Sequence, residues 1–425
     1  MNKFFKIDEN LKQLANKSER ESQEQFEKIE KIELHNQSKV LHAFLENKVS
    51  STHFIETTGY GYNASGREVI DQTFQQIFEA QSALVRCNFI SGTHAIAVAL
   101  FAVLKPNDTV LSTTGIPYDT IQTVFGLHKN QNDSKNLKNY GVKFKSIDLL
   151  PNAQFNFEKI EQTLAQQKIK LIYVQRSRGY ETRPPVQISE IEKLVKFVKK
   201  LSPKTLIFVD NCYGEFVEER EPTAVGVNLI CGSLIKNPGG AMATTGGYII
   251  GDSNLVDLCS IELTAPGLGK EIGCNFNQNR NILMGIFLAP HVVANALKIS
   301  VFVRRLFAKL NYNVFPKPNS ATSDIVSTIE LGNKATLLEF CKGIQTNSPV
   351  DSFLTPVGWR QPGYDSEIIM ASGSFTSGSS IELSADAPIK PPYNVFLQGG
   401  LTFDSAKISI LNAIQSLIDK KLVKM

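Results

Sequence analysis

One cation, Lys236, interrupts the apolar, glycine-rich stretch CGSLIKNPGGAMATTGGYIIG at residues 231–251. A lysine in an apolar cleft can form a Schiff base when burial or neighbouring charge tunes its amine. In isolation it also reads as a hairpin-turn lysine facing water. Three other stretches bear on that choice. Ser91, Gly92 and Thr93, in SGTH, stand where a strand-like run gives way to an apolar helical one. The first N–H groups of a helix lack internal partners and carry partial positive charge, so a glycine and two hydroxyls there suit a phosphate. The same residues also make an ordinary N-cap. Asp210 closes the apolar run LIFVD, and open α/β sheets bind ligands at the carboxyl ends of their strands. A buried carboxylate there needs a cation or a donor; a protonated pyridine nitrogen would be one, and a solvated loop aspartate is the plain alternative. Tyr118, in GIPYDT, follows another strand end, where an aromatic either stacks on a planar ring or is structural.

None of the four decides alone; their order does. A phosphate cradle, a stacking ring, an anion for a pyridine nitrogen and a lysine for a covalent link are the parts that pyridoxal phosphate requires. SGTH matches neither a P-loop nor a GxGxxG motif, so nucleotide binding gains no support.

The elements that must carry these residues read as an α/β layer. ALVRCNFI, TVLSTT, KLIYVQ, TLIFVD, VNLICGSL and GGYIIGD are short apolar runs, and AIAVALFAVL and IEKLVKFVKKL lie between some of them as helices. Alternation of this kind predicts a mostly parallel sheet with strands buried on both faces. Residues 1–55 predict one or two amphipathic helices forming an arm, packed on its own domain or exchanged with a partner subunit. Residues 56–295 make a large domain. From 296 to 425 the shorter strands DIVSTIEL, EIIMASGS and SIELSA, with a final helix from Ser405, predict a smaller α+β domain.

Bulk properties narrow the class. The chain has 425 residues, 42% apolar and 20% charged, with a net charge of +4 spread along its length, so nucleic-acid binding is not implied. Six cysteines without a C-x-x-C pair predict neither a disulfide framework nor a metal site. The N-terminus has no signal-peptide core, and no run reaches the ~18 apolar residues of a membrane span. A cytoplasmic protein is expected.

The stretches GYGYNASGRE, VRCNFISGTHAIAVALF, YVQRSRGY, VDNCYGEFVEEREP, GSLIKNPGG, LTAPGLGKEIG, QTNSPVDS, SGSFTSGSSIELSADAPIKPPY and LQGGLTF together resemble a family of pyridoxal-phosphate proteins. It is described as methionine gamma-lyase-like, or as cystathionine beta-lyase-like and linked to aluminium resistance. The match runs over nearly the whole chain after residue 55. The resemblance implies an aspartate-aminotransferase-like fold: a large domain with a mostly parallel sheet of the seven-stranded type flanked by helices, plus the smaller C-terminal domain. It implies homodimers or homotetramers with active sites shared between subunits. It makes Lys236 the Schiff-base lysine, Asp210 the partner of the pyridine nitrogen and Tyr118 the stacking ring. Ser91, Gly92, Thr93 and Ser233 become phosphate ligands. Tyr60, Tyr62 and Arg67 become candidates to reach the phosphate from a neighbouring subunit. The implied activity is β- or γ-elimination from a sulfur-containing amino acid. Transamination, racemisation, retro-aldol cleavage or a non-catalytic role on the same fold are the alternatives. Two departures stand out: Ile235 precedes the lysine where relatives often carry a hydroxyl, and the usual C-terminal carboxylate-binding arginine has no clear counterpart. Arg176, Arg178 and Arg360 are the candidates to replace it.

Overall fold

The computed structural model of the chain describes residues 4–127, 135–361 and 366–423. Residues 362–365, which include the end of the GWRQPGY stretch at 358–364, lie outside them. The chain divides into two compact units, one of residues 36–179 and 185–289, the other of residues 1–35, 180–184 and 290–425.

The chain opens with helices α1 (Glu9–Glu21) and α2 (Gln23–Glu46). Asp8 caps α1 by accepting the N–H groups of Asn10 and Leu11, which are among the donors a helix start leaves unpaired. α1 is fastened to later residues of its own unit, Glu19 pairing with Lys407 and Glu21 with Lys309 at 2.8 Å, and in the first turn of α2 the Phe26 ring meets the Phe403 ring edge to face.

The larger unit holds, in order, α3 (Ser65–Ile77), β1 (Ser82–Arg86), α4 (Gly92–Val103), β2 (Thr109–Ser112), α5 (Asp119–Phe125), β3 (Lys143–Ser146), α6 (Phe157–Gln166), β4 (Leu171–Gln175), α7 (Ile188–Leu201), β5 (Leu206–Asp210), β6 (Leu229–Ser233), β7 (Gly247–Gly251) and α8 (Ser253–Leu263). Its strands form a seven-stranded sheet in the order β1-β7-β6-β5-β4-β2-β3. Only β7 runs against its neighbours β1 and β6; the other pairs are parallel. β1, β4, β6 and β7 are buried at every position, the reason these strands read as unbroken apolar runs. α4 is apolar all round because it packs on α8, β6 and β7 at once.

This topology sets the site. β1, β2, β4, β5 and β6 all point the same way, so their carboxyl ends share one edge. Ser112, Gln175, Asp210 and Ser233 end strands there, and β1 delivers the chain to α4 at the same edge.

α9 (Asn279–Lys309) carries Pro290 inside it, where the division between units falls. By length and composition α9 is apolar enough to cross a membrane, but 78% of its apolar window is buried within the protein, as in a core helix. The smaller unit continues with β8 (Asn313–Phe315), β9 (Val326–Glu330), α10 (Lys334–Thr346), β10 (Ile368–Ser372), β11 (Ser384–Pro388), β12 (Asn394–Gln398) and α11 (Phe403–Asp419). Its five strands form an antiparallel sheet, β10-β11-β12-β9-β8. α10 packs closely on α11, where Gly343 backs onto Ala413.

Candidate active site

The start of α4 is fixed by its own sequence. Ser91 is the N-cap, and its Oγ accepts the His94 N–H at 3.0 Å, leaving the hydroxyl proton free to donate. Thr93 Oγ1 lies 2.9 Å from Thr120 Oγ1, which ties α4 to the first turn of α5. A Cβ on Gly92 would lie 3.2 Å from the Ser233 Cβ and 3.4 Å from the Cys212 Sγ. Glycine therefore lets the helix start, the end of β6 and the loop after β5 close on one point. Tyr118 is half-buried just before α5, and its N–H donates to Gln175 Oε1 at 2.7 Å. The last residue of β4 thus aims the tyrosine backbone.

Asp210 is 7% exposed. Its Oδ1 accepts the Cys212 N–H at 3.2 Å and its Oδ2 the Tyr173 hydroxyl at 3.4 Å. Burial pushes this carboxyl above its ordinary range, while the charge of Lys236 and the two donors pull it back. Lys236 stands in the loop after β6 with its Nζ 4.1 Å from the centre of the Tyr213 ring, a cation–π distance. Burial works against its charge, but the ionisable groups of Cys212, Tyr213, Asp210 and Glu215 more than offset it, and the amine holds its proton above the ordinary lysine range. Lys236 and Asp210 therefore act on each other within one largely buried cluster, in which Lys236 and Tyr213 are half-buried.

The loop after β5 is built around Arg176, which is wholly buried. Its Nη1 donates to Asn211 Oδ1 at 2.8 Å and to the Gly214 carbonyl at 2.7 Å, and its Nη2 to Glu218 Oε1 at 2.8 Å. Glu221 lies 3.6 Å away. Two non-glycine residues in this loop, Tyr213 at φ +68° and Phe216 at φ +62°, take left-handed backbone. Such residues cost about 1–3 kcal/mol each and persist where their surroundings over-determine them.

The candidate arginines part company. The guanidinium of Arg176 is committed to the loop after β5. Arg67 is equally committed, donating to the carbonyls of Gly61 at 2.9 Å, Gly273 at 3.0 Å and Glu271 at 2.8 Å. Arg178 is also fully buried, in the larger unit, while Arg360 is exposed and belongs to the smaller one. Tyr60 and Tyr62 stack on each other at 5.5 Å on an exposed turn. Tyr213, Glu215, Cys212 and Tyr248 join the cluster without having been singled out from the sequence. For the first three the signal available was VDNCYGEF itself, a short run of ionisable and aromatic residues at a strand end; Tyr248 lies in the strand run GGYIIGD.

Fold and site together define a chain of the architecture shared with pyridoxal-phosphate-dependent proteins. At 16% identity and a TM-score of 0.61, it overlays the pyridoxal-5'-phosphate dependent protein YhfS from Escherichia coli over 91% of this chain and 96% of that one. That likeness speaks to the fold alone. The methionine gamma-lyase family profile matches residues 11–418, and the chain belongs to that family. A crystal structure described as a carbon-sulfur lyase involved in aluminum resistance, from Clostridium novyi NT, is 44% identical, with a TM-score of 0.92 and 96% of each chain covered. The Bacillus subtilis protein YnbB is 42% identical over 93% of each chain.

Proposed function

We propose that this protein is a pyridoxal-phosphate-dependent carbon–sulfur lyase that releases a thiol from the β or γ carbon of an amino acid. The observation that carries the reading is the single cluster of half-buried Lys236 and buried Asp210 beside the start of α4. The residues fit the cofactor: a cradle that a Cβ at Gly92 would begin to fill, hydroxyls at Ser91, Thr93 and Ser233, a carboxyl at a strand end, and a half-buried amine. Family membership and the carbon–sulfur lyase relative support the same reading.

Bound pyridoxal phosphate supplies an electron sink for a carbanion at the substrate Cα. Lys236 would hold the cofactor covalently and supply the amine that takes the Cα proton. Asp210 would keep a proton on the cofactor's ring nitrogen. The α4 N–H groups, with Ser91, Thr93 and Ser233, would hold the phosphate, and Tyr118 would stack on the ring. With one water consumed, the products are a thiol, ammonia and a 2-oxo acid. The substrate carboxylate needs a guanidinium, for which Arg178 and Arg360 stand as candidates; Arg176 donates to Asn211, Gly214 and Glu218. The exposed Tyr60–Tyr62 pair is assigned to contact with a second copy of the chain, in a dimer or tetramer.

Reconstitution tests this. The protein with pyridoxal phosphate should absorb in the visible, borohydride should fix the cofactor on Lys236, and cystathionine, methionine or cysteine should yield thiol and 2-oxo acid. A colourless reconstituted protein, or no thiol from any of the three, defeats the proposal.

A further inference from the structure

A buried acid–phenol pair lies beneath the lysine loop. Glu215 has no exposed surface. Its Oε1 accepts the Tyr248 hydroxyl at 2.6 Å, and its Oε2 has no hydrogen-bond partner among the described residues. The space for the pair is made by Gly232 of β6, where a Cβ would stand 2.5 Å from the Tyr248 hydroxyl and 2.6 Å from Glu215 Oε1. Gly232 directly precedes Ser233. Asn237, the residue after Lys236, donates from Nδ2 to the Glu215 carbonyl at 3.0 Å. The loop bearing the lysine is thus tied to the residue bearing the acid. Stability alone gives no reason to keep a half-satisfied carboxyl in a core, since an apolar pair of similar shape serves as well or better.

The groups that act on Glu215 come from three sides: Tyr248 from β7, Glu221 and Cys212 from the loop after β5, and Lys236 from the loop after β6. Phe78, after α3, packs its ring on Tyr248 and on Phe216. Arg176 answers Glu221, and Lys236 is the cation that acts on Glu215.

We propose that Glu215 is a positioning residue that acts through Lys236: as a neutral acid it leaves the amine to its other neighbours, Asp210 among them, and as an anion it adds a second carboxylate that holds the amine as ammonium. The inference rests on Lys236 being the reactive amine of the proposed function, but its test needs no cofactor. Burial pushes the Glu215 carboxyl up to about 8, which puts the change of charge in a range where enzymes work. The step is a proton exchange with solvent and makes no covalent bond.

Lys236 reactivity reads this directly. The full chain, freed of cofactor, is treated with trace acetic anhydride from pH 6 to pH 10. Acetylation of Lys236 is followed by peptide mass spectrometry against the exposed lysines. Glu215→Gln keeps the shape and the bond to Tyr248 while removing the charge, and should raise Lys236 labelling at pH 9 about tenfold, the equivalent of one pKa unit. Tyr248→Phe removes the donor that stabilises the anion, and should shift labelling the same way by about threefold. Melting curves at pH 6 identify which variants are folded, and a rise in a folded variant supports the proposal. Lys236 labelling within twofold of wild type in every folded variant overturns it, because a purely structural acid would move the melting temperature and leave the lysine alone. Failure of the wild type to bind pyridoxal phosphate at Lys236 would count against the proposed function and not against this result.

Discussion

At the α4 end of the site, Ser91, Gly92, Thr93 and Ser233 carry no formal charge. Whatever attraction they hold for an anion comes from helix N–H groups and hydroxyls in fixed places. At the lysine end, Asp210, Lys236, Glu215, Cys212 and Tyr213 crowd several ionisable groups into a buried cluster, and each moves the proton affinity of the next. The first end is tuned by shape. A methyl in the wrong place harms it and a change of pH does little. The second end is tuned by protonation, and a substitution that preserves its shape can still change it.

The largest expected effect lies at the charged end. Lys236→Ala should abolish borohydride-stable attachment of pyridoxal phosphate and lower thiol release by at least about 10²–10⁴-fold, the range for losing a positioned base. Its companion Asp210→Asn, which keeps the shape and removes the charge, should cost about 10²-fold or more in turnover at unchanged melting temperature. A merely structural Asp210 would reverse that pattern.

The scaffold under that end comes next. Arg176→Ala strands Glu221 and Glu218 in the loop after β5, and should cost about 3–5 kcal/mol in urea unfolding, the penalty for breaking a buried ion pair. If the loss is below about 1 kcal/mol, the loop is not built around this arginine.

Glu215 supplies the pH prediction. Its ordinary value is 4.5 and burial carries it to about 8 in the folded chain. Between those values the native state binds the extra proton, so this group's stability is present in full below about pH 4.5 and is lost as pH rises toward 8. The slope is at most about 1.4 kcal/mol per pH unit. Glu215→Gln should flatten that share of the stability–pH curve, and superimposable curves would contradict the assignment.

The smallest effect belongs to the uncharged end. Gly92→Ala places a methyl 3.2 Å from Ser233 and 3.4 Å from Cys212, so the neighbours must give by a few tenths of an ångström. Cofactor affinity, read by fluorescence titration, should fall about tenfold with little change between pH 6 and 8. Ser91→Ala should cost about 1 kcal/mol through the lost N-cap.

How far the sequence carried the reading follows the same division. Apolar runs buried on both faces were legible, so α4, α7, β4, β5, β6 and β7 could be placed by period and composition. Lys236, Asp210 and the SGTH turn followed because each ends or begins such a run. β3 was not legible: KFKS is short and largely exposed, with Phe144 alone packed inward on Phe125. SIELSA was expected as a strand, but β11 begins only at Ser384, because the Glu382 carboxylate accepts the N–H groups of Phe375 and Thr376 and holds that segment as a loop. Arg67 and Arg176 looked like ligand arginines because sequence cannot show that backbone carbonyls and carboxylates already occupy their guanidinium groups. Glu215 and Tyr248 escaped notice because their pairing crosses β6 at a glycine and depends on three separate stretches of chain.

The central claim is that one site holds both ends of one small molecule. A crystal structure of the full chain with pyridoxal phosphate tests it most directly. The account predicts the phosphate against Ser91–Thr93 and Ser233, the ring nitrogen on Asp210 and a covalent link to Lys236. Cofactor bound elsewhere, or bound with Lys236 and Asp210 both out of reach of its ring, would contradict it.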